Sequence, residues 1–166
     1  MLLEGADRWD PEWRVAENRG PRRALPRPPT PLGAPVAGVI ACLRPCKRLT
    51  AIDLAPLIGL GAGSTPEGDD LLLGLRAAWH VRASGGEAVP LAELDELLRA
   101  AHDRTHPVSA CMLSDGAAGR YPEALARLLD ALCGHGALQP ALDELRGLGA
   151  SSGRAMEWGV FIGQQD

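Results

Sequence analysis

The sequence predicts a mainly α-helical bundle with Gly/Pro-rich turns and a proline-rich N-terminal arm, and three observations lead there. Leu and Ala supply 26 residues each, against only 15 for Val, Ile and Thr together; β-branched residues suit a pleated surface, and their scarcity argues against an all-β fold. Apolar residues recur at helical spacing in one segment after another. Prolines and glycines punctuate those segments where helices begin and end. At 166 residues, 46% hydrophobic and 23% charged, the chain is close to one soluble domain long and can bury a core without staples. We divide it into a basic, extended arm with a short helix (1–34) and a helical domain (35–166).

The elements follow in order. Asp10-Pro11-Glu12-Trp13 reads as a helix start, with Asp10 as N-cap and Pro11 at N1. Pro26-Arg27-Pro28-Pro29-Thr30-Pro31 cannot sit inside a helix. The run from Pro35 to Leu43 is apolar but too short for periodicity to choose helix or strand. Thr50-Ala51-Ile52-Asp53 has the form of a capping box, heading a helix through Leu54, Leu57 and Ile58. Thr65 as N-cap and Pro66 as N1 open the clearest helix, with Leu71, Leu72, Leu75, Ala78 and Trp79 toward the core. Further helices are expected from Pro90, from Thr105-His106-Pro107 to near Gly119, from Pro122, from Pro140, and from Gly149-Ala150-Ser151-Ser152-Gly153. Short turns between helices mean a bundle.

Composition excludes several classes. No run approaches eighteen apolar residues, so no membrane span is expected. Glu4 and Asp7 near the start, with no apolar stretch, argue against a secretory signal. Cys42, Cys46, Cys111 and Cys133 show no CxxC spacing, which suits a reducing, cytoplasmic location; Cys111 and Cys133 read as buried free thiols. The net charge of −4 points to no nucleic-acid partner. Residues 1–52 nevertheless carry nine bases against five acids, and 53–166 eight against sixteen. The basic arm could grip an acidic partner, but the favoured reading is a solvated linker on the protein's own acidic body.

The chemistry concentrates at Gly59-Leu60-Gly61-Ala62-Gly63-Ser64-Thr65-Pro66-Glu67-Gly68-Asp69-Asp70. A glycine loop running into a helix start gathers backbone N–H groups at the positive end of the helix dipole, which favours anions. Glu67, Asp69 and Asp70 would repel a bare phosphate unless Mg²⁺ bridged Asp69 or Asp70 to it. The bland alternative is that these acids complement the helix dipole, worth a few tenths of a kcal/mol each; it leaves the three preceding glycines without a purpose. Neither the Walker nor the dinucleotide-binding pattern is present. Three helix starts rich in small residues (61–65, 105–109 and 149–153) would line one anion pocket if they converge. Its lining would be Gly61, Gly63, Ser64, Thr65, Gly68, Thr105, Ser109, Ser151, Ser152 and Gly153, with Asp69 and Asp70 as catalytic or metal-binding carboxylates.

These segments resemble the AllH-like family, which includes a subunit of oxamate carbamoyltransferase. The glycine loop with its Gly68-Asp69-Asp70, and Gly74 a turn later, is similar to that family's GLGPGLTPSGDD signature. Thr105 to Ser109, with Ala118-Gly119 after it, is similar to its T-x-x-x-S helix start, and Leu148 to Gly153 to its LGHSSG element. Trp9-Asp10-Pro11 fits an upstream element more loosely, so the likeness runs from about Trp9 to the C-terminus. The sequence departs from the family at Ala62, Ser64 and Ala150, the last in place of a histidine. The resemblance implies carbamoyl transfer between carbamoyl phosphate and oxamate in purine-ring nitrogen salvage, with partner subunits or self-assembly.

Other candidates are weaker. His102 and His106 have zinc-ligand spacing, but Pro107 separates them and no third ligand is offered. His80 reads as a helix-surface residue and His135 as a loop residue; Trp9, Trp13, Trp79 and Trp158 read as core or interface anchors. No GxSxG elbow is present. Two function classes therefore stand side by side: a carbamoyltransferase-type subunit binding a small anionic metabolite, and a non-catalytic helical scaffold whose glycine loop packs against a partner chain.

Overall fold

One helix, α3 (Glu67–Ser84), organises the molecule: every residue from Gly68 to Trp79 is buried. The sequence pattern assigned it a single core-facing stripe. Leu73 and Ala77, off that stripe, are as buried as Leu71, Leu72 and Leu75. A helix apolar on all sides belongs in the centre of a bundle, and α3 occupies it. The computed structural model describes residues 22–43 and 48–165. Around α3 stand α1 (Ala34–Leu43), α2 (Ala51–Leu54), α4 (Leu91–Arg99), α5 (Pro107–Ala117), α6 (Glu123–Leu132), α7 (Leu138–Arg146) and α8 (Ser152–Gln165). Among the described residues there are eight α-helices and no strand, a mainly helical bundle as composition predicts. The Asp10–Trp13 helix, Trp9, Trp13 and Cys46 lie outside the described residues.

The closest partner of α3 is α8, and glycine makes the approach possible. A Cβ on Gly74 would run into the Met156 carbonyl, and one on Gly159 into the Leu71 carbonyl and within 2.6 Å of the Leu75 nitrogen. One on Gly163 would lie 3.0 Å from the Leu75 oxygen. The two backbones therefore touch over about two turns. On one side of this pair, Leu73 and Ala77 join Leu125, Leu128, Leu129, Leu142, Leu145, Met156 and Val160. On the other, Leu71, Leu72, Leu75 and Trp79 join Val36, Leu54, Leu57, Leu94, Leu98 and Leu113.

Most boundaries fall where the local signals put them. Thr50 caps α2 with a complete capping box, its hydroxyl accepting from the Asp53 N–H and Asp53 accepting from the Thr50 N–H. That helix lasts one turn and continues as a 3-10 turn, Ala55–Leu57, burying Leu54, Leu57 and Ile58. Pro90, His106 and Pro122 are the N-caps of α4, α5 and α6. The run from Pro35 is helix, not strand, and buries Val36 alone among its ten residues.

Four expectations are corrected. The N-cap of α3 is Pro66 rather than Thr65, which frees the Thr65 hydroxyl for another partner. Pro140 lies at the third position of α7, not at its head. Cys111 is exposed and Cys133 half-buried, because α5 and α6 turn those positions outward. His80 is not a surface residue: its Nδ1 lies 3.0 Å from the Tyr121 hydroxyl.

Residues 22–33 run extended along the bundle. Leu25 is 4% exposed, and its N–H donates to Gln164 Oε1 at 2.9 Å. The Trp158 indole N–H donates to the Thr30 carbonyl at 2.6 Å, with the Arg27 guanidinium over the same ring. Arg22 pairs with Glu87, which Arg82 also holds at 2.7 Å. Positive side chains of the arm thus meet an acidic side chain of the body.

A junction of three helix starts around two aspartates

The glycine loop follows the 3-10 turn and doubles back onto the head of α3. Gly59 has φ +71°, and a Cβ there would strike the Arg104 carbonyl, so both conformation and space call for glycine. Its N–H donates to Asp69 Oδ1 at 2.8 Å. Gly61 has φ +125° and sits so close to the Glu67 nitrogen that a Cβ would come within 2.8 Å. The Gly68 N–H donates to the Leu60 carbonyl at 2.8 Å, closing the loop. The tip, from Gly61 to Ser64, is exposed.

The two aspartates face different neighbours although they are adjacent in sequence, because each residue of a helix turns about 100° from the last. Asp69 is 1% exposed and fully engaged. Besides Gly59, it accepts at Oδ2 from the Thr105 hydroxyl and, at 2.6 Å, from the buried Ser109 hydroxyl. It ties α3, the glycine loop and the head of α5 together. Asp70 is 2% exposed, yet its Oδ2 has no hydrogen-bond partner among the described residues. The Ser152 and Thr65 hydroxyls lie beside it, 3.1 Å from each other. Burial above all pushes the Asp70 carboxyl up to about 7; a hydrogen bond from the Ser152 hydroxyl opposes this, Asp69 and Glu67 reinforce it by repulsion, and a hydrogen bond from the Thr65 hydroxyl opposes it. A buried carboxyl that titrates near neutrality marks a candidate functional site.

The three small-residue helix starts therefore do meet: 105–109 through Asp69, and 149–153 through Thr65 and Ser152. Some backbone donors at and beside these starts are spent internally. Gly59, Gly68 and Gly153 donate to Asp69, Leu60 and Leu148, and a Cβ on Gly153 would collide with the Leu145 carbonyl. Gly63, Ser64 and Ser151 are exposed. Glu67 turns away to accept from the Gly33 N–H at 3.0 Å.

Of the two carboxylates suggested for a bridging Mg²⁺, only Asp70 has an oxygen without a hydrogen-bond partner among the described residues. Both Asp69 oxygens serve protein donors, and among the described residues no three His, Cys, Asp or Glu side chains gather as a metal site. His102 sits in a 3-10 turn pairing with Asp103, while His106 caps α5, so the two share no helical face.

Sequence reasoning missed a second buried polar cluster. Arg76, 4% exposed in α3, gives a forked pair of bonds to Asp95 of α4 at 2.9 and 3.2 Å. It also donates to the Tyr121 hydroxyl and the Ala117 carbonyl. Burial first, then the Arg76 charge, pull His80 down to about 4, with Asp95 opposing. Burial pushes Tyr121 up to about 12, against the pull of Arg76. An arginine inside an otherwise apolar helical run was the available signal. A similar pair, Arg146 and the 1% exposed Glu157, joins α7 to α8 at 2.6 and 2.8 Å.

No curated protein and no solved structure matches this chain. No described helix is long and apolar enough to cross a membrane. A family model described as oxamate carbamoyltransferase subunit AllH matches residues 57–164. That span opens at the last residue of the 3-10 turn before the glycine loop and closes within α8, taking in all three helix starts and both aspartates while leaving α1 and α2 outside. Since the match covers well over half of the 166 residues and contains the whole junction, the chain belongs to the AllH family of oxamate carbamoyltransferase subunits.

Proposed function

We propose that this chain is a substrate-binding subunit of a carbamoyltransferase, joining with partner subunits to move a carbamoyl group between carbamoyl phosphate and oxamate. In that reaction the oxamate amide nitrogen attacks the carbamoyl carbon, a C–N bond forms, the C–O bond to phosphate breaks, and the nitrogen loses a proton. The observation that carries the reading is the junction itself: an exposed loop tip of small residues leads to a buried carboxyl with an unpartnered oxygen and two hydroxyls beside it. In this reading Asp70, Thr65 and Ser152 meet the ligand, with Ser64 and Ser151 at the rim. Asp69, Thr105 and Ser109 hold the frame. Sites of this kind need rigid support, because small misplacements cost much of the rate.

The scaffold alternative draws on a specific observation too. Gly59, Gly61, Gly68, Gly74 and Gly153 each make a close approach inside this chain, so internal packing alone accounts for them. It does not account for the unpartnered Asp70 oxygen.

The test is reconstitution with the partner subunits, measuring oxamate-dependent phosphate release from carbamoyl phosphate, with and without Mg²⁺. Omitting this chain should abolish release, and Thr65→Ala/Ser152→Ala should reduce it strongly while assembly persists. Full turnover by the double variant would favour the scaffold; turnover without this chain would refute the proposal.

A further inference from the structure

Asp69 and Asp70 share a helix turn and a degree of burial but are treated oppositely. Asp69 accepts from three protein donors, one backbone N–H and two hydroxyls. Asp70 Oδ2, equally out of reach of solvent, accepts from none among the described residues. Buried polar atoms are nearly always paired, and an orphaned acceptor is costly. The orphan is also not a random core atom. It belongs to a carboxyl at the head of α3 whose neighbours are the Thr65 hydroxyl and, from the head of α8, the Ser152 hydroxyl.

We propose that Asp70 Oδ2 is the specificity-determining acceptor for a primary amide N–H on the ligand. The junction then takes a small acid bearing a carboxamide and rejects the corresponding dicarboxylate. This rests on the functional reading above and deepens it. Among the described residues, the charges that act on Asp70 are those of Asp69 and Glu67, both acidic. A second carboxylate placed at Oδ2 would meet like charge in a buried setting, whereas an amide NH₂ offers two donors, and the Thr65 and Ser152 hydroxyls can turn to serve either of its atoms. A site built around a hydrogen bond to one group discriminates strongly against the analogue that lacks it.

The probes are oxamate and oxalate, which differ by one amide for one carboxylate. Calorimetric titration of the full chain at pH 8 should find oxamate bound at least ten-fold more tightly than oxalate. Asp70→Asn and Asp70→Ala should erase that preference, with circular dichroism showing the helical content retained. Ser152→Ala should weaken oxamate binding yet keep the preference, since Oδ2 remains. If the Asp70 variants bind oxamate and still prefer it as the wild type does, this inference is wrong while the carboxamide-binding function stands. If the wild type, alone and in the assembled enzyme, binds neither compound, the functional reading fails and takes the inference with it.

Discussion

Replacing Asp69 by Ala tests the claim that this carboxylate is structural. The change removes the acceptor of the Gly59 N–H at 2.8 Å, of the Ser109 hydroxyl at 2.6 Å and of the Thr105 hydroxyl, in a place only 1% exposed. The Gly59 N–H is fixed by the backbone and cannot seek another acceptor; orphaning it costs about 1–3 kcal/mol. The two hydroxyls can rotate but lose a charged acceptor, a bond contributing about 1.5–3 kcal/mol each before any re-pairing. With partial re-pairing the loss is about 4 kcal/mol. In a domain of this size that lowers Tm by about 8–16 °C. Asp69→Asn keeps an oxygen for Gly59, and the hydroxyls can turn to accept from its NH₂, so about 1–2 kcal/mol is expected. Urea and thermal unfolding followed by circular dichroism give both values. A loss below 1 kcal/mol for Asp69→Ala, or equal losses for Ala and Asn, would refute the argument.

Asp70 should behave in the opposite sense. Its carboxyl is raised from 3.8 to about 7, so between those values the folded state binds the proton more tightly than the unfolded one and stability falls as pH rises. The accumulated penalty is about 4 kcal/mol above pH 7, and Asp70→Asn should recover much of it at pH 8 but little near pH 4; an unchanged pH profile would refute the assignment. His80, lowered to about 4, binds its proton more readily when unfolded, so it subtracts stability as pH falls from 6.5 toward 4. In proton NMR its ring should show no titration near pH 6.5. Asp95→Ala leaves Arg76 buried without its carboxylate and should cost about 3 kcal/mol, while replacing both Arg76 and Asp95 by Leu should recover much of the loss. Gly159→Ala would force the α3 and α8 backbones apart and should prevent folding or lower Tm by more than 10 °C, against a change of a few degrees for Gly63→Ser at the exposed loop tip.

The sequence by itself determined where most helices begin and end and which segment carries the chemistry. Capping boxes, proline starts and glycine stops act within four residues of chain, so Thr50-Asp53, Pro90, His106-Pro107 and Pro122 could be read directly. The family likeness was equally legible, because the glycine loop and its aspartates are contiguous. Tertiary structure alone decided the division of labour. Whether Asp69 or Asp70 finds partners depends on Thr105, Ser109 and Ser152, which lie 36, 40 and 82 residues from their respective carboxylates in the chain. The short run from Pro35 became a helix, Thr65 turned from capping to a contact with Ser152, and α3 proved to be central rather than one-sided. A cap's energy is set by its immediate neighbours, but burial and hydrogen-bond partnership are set by whatever the rest of the chain brings alongside. That is why the same helix turn could place one aspartate in a finished network and leave the next with an oxygen to spare.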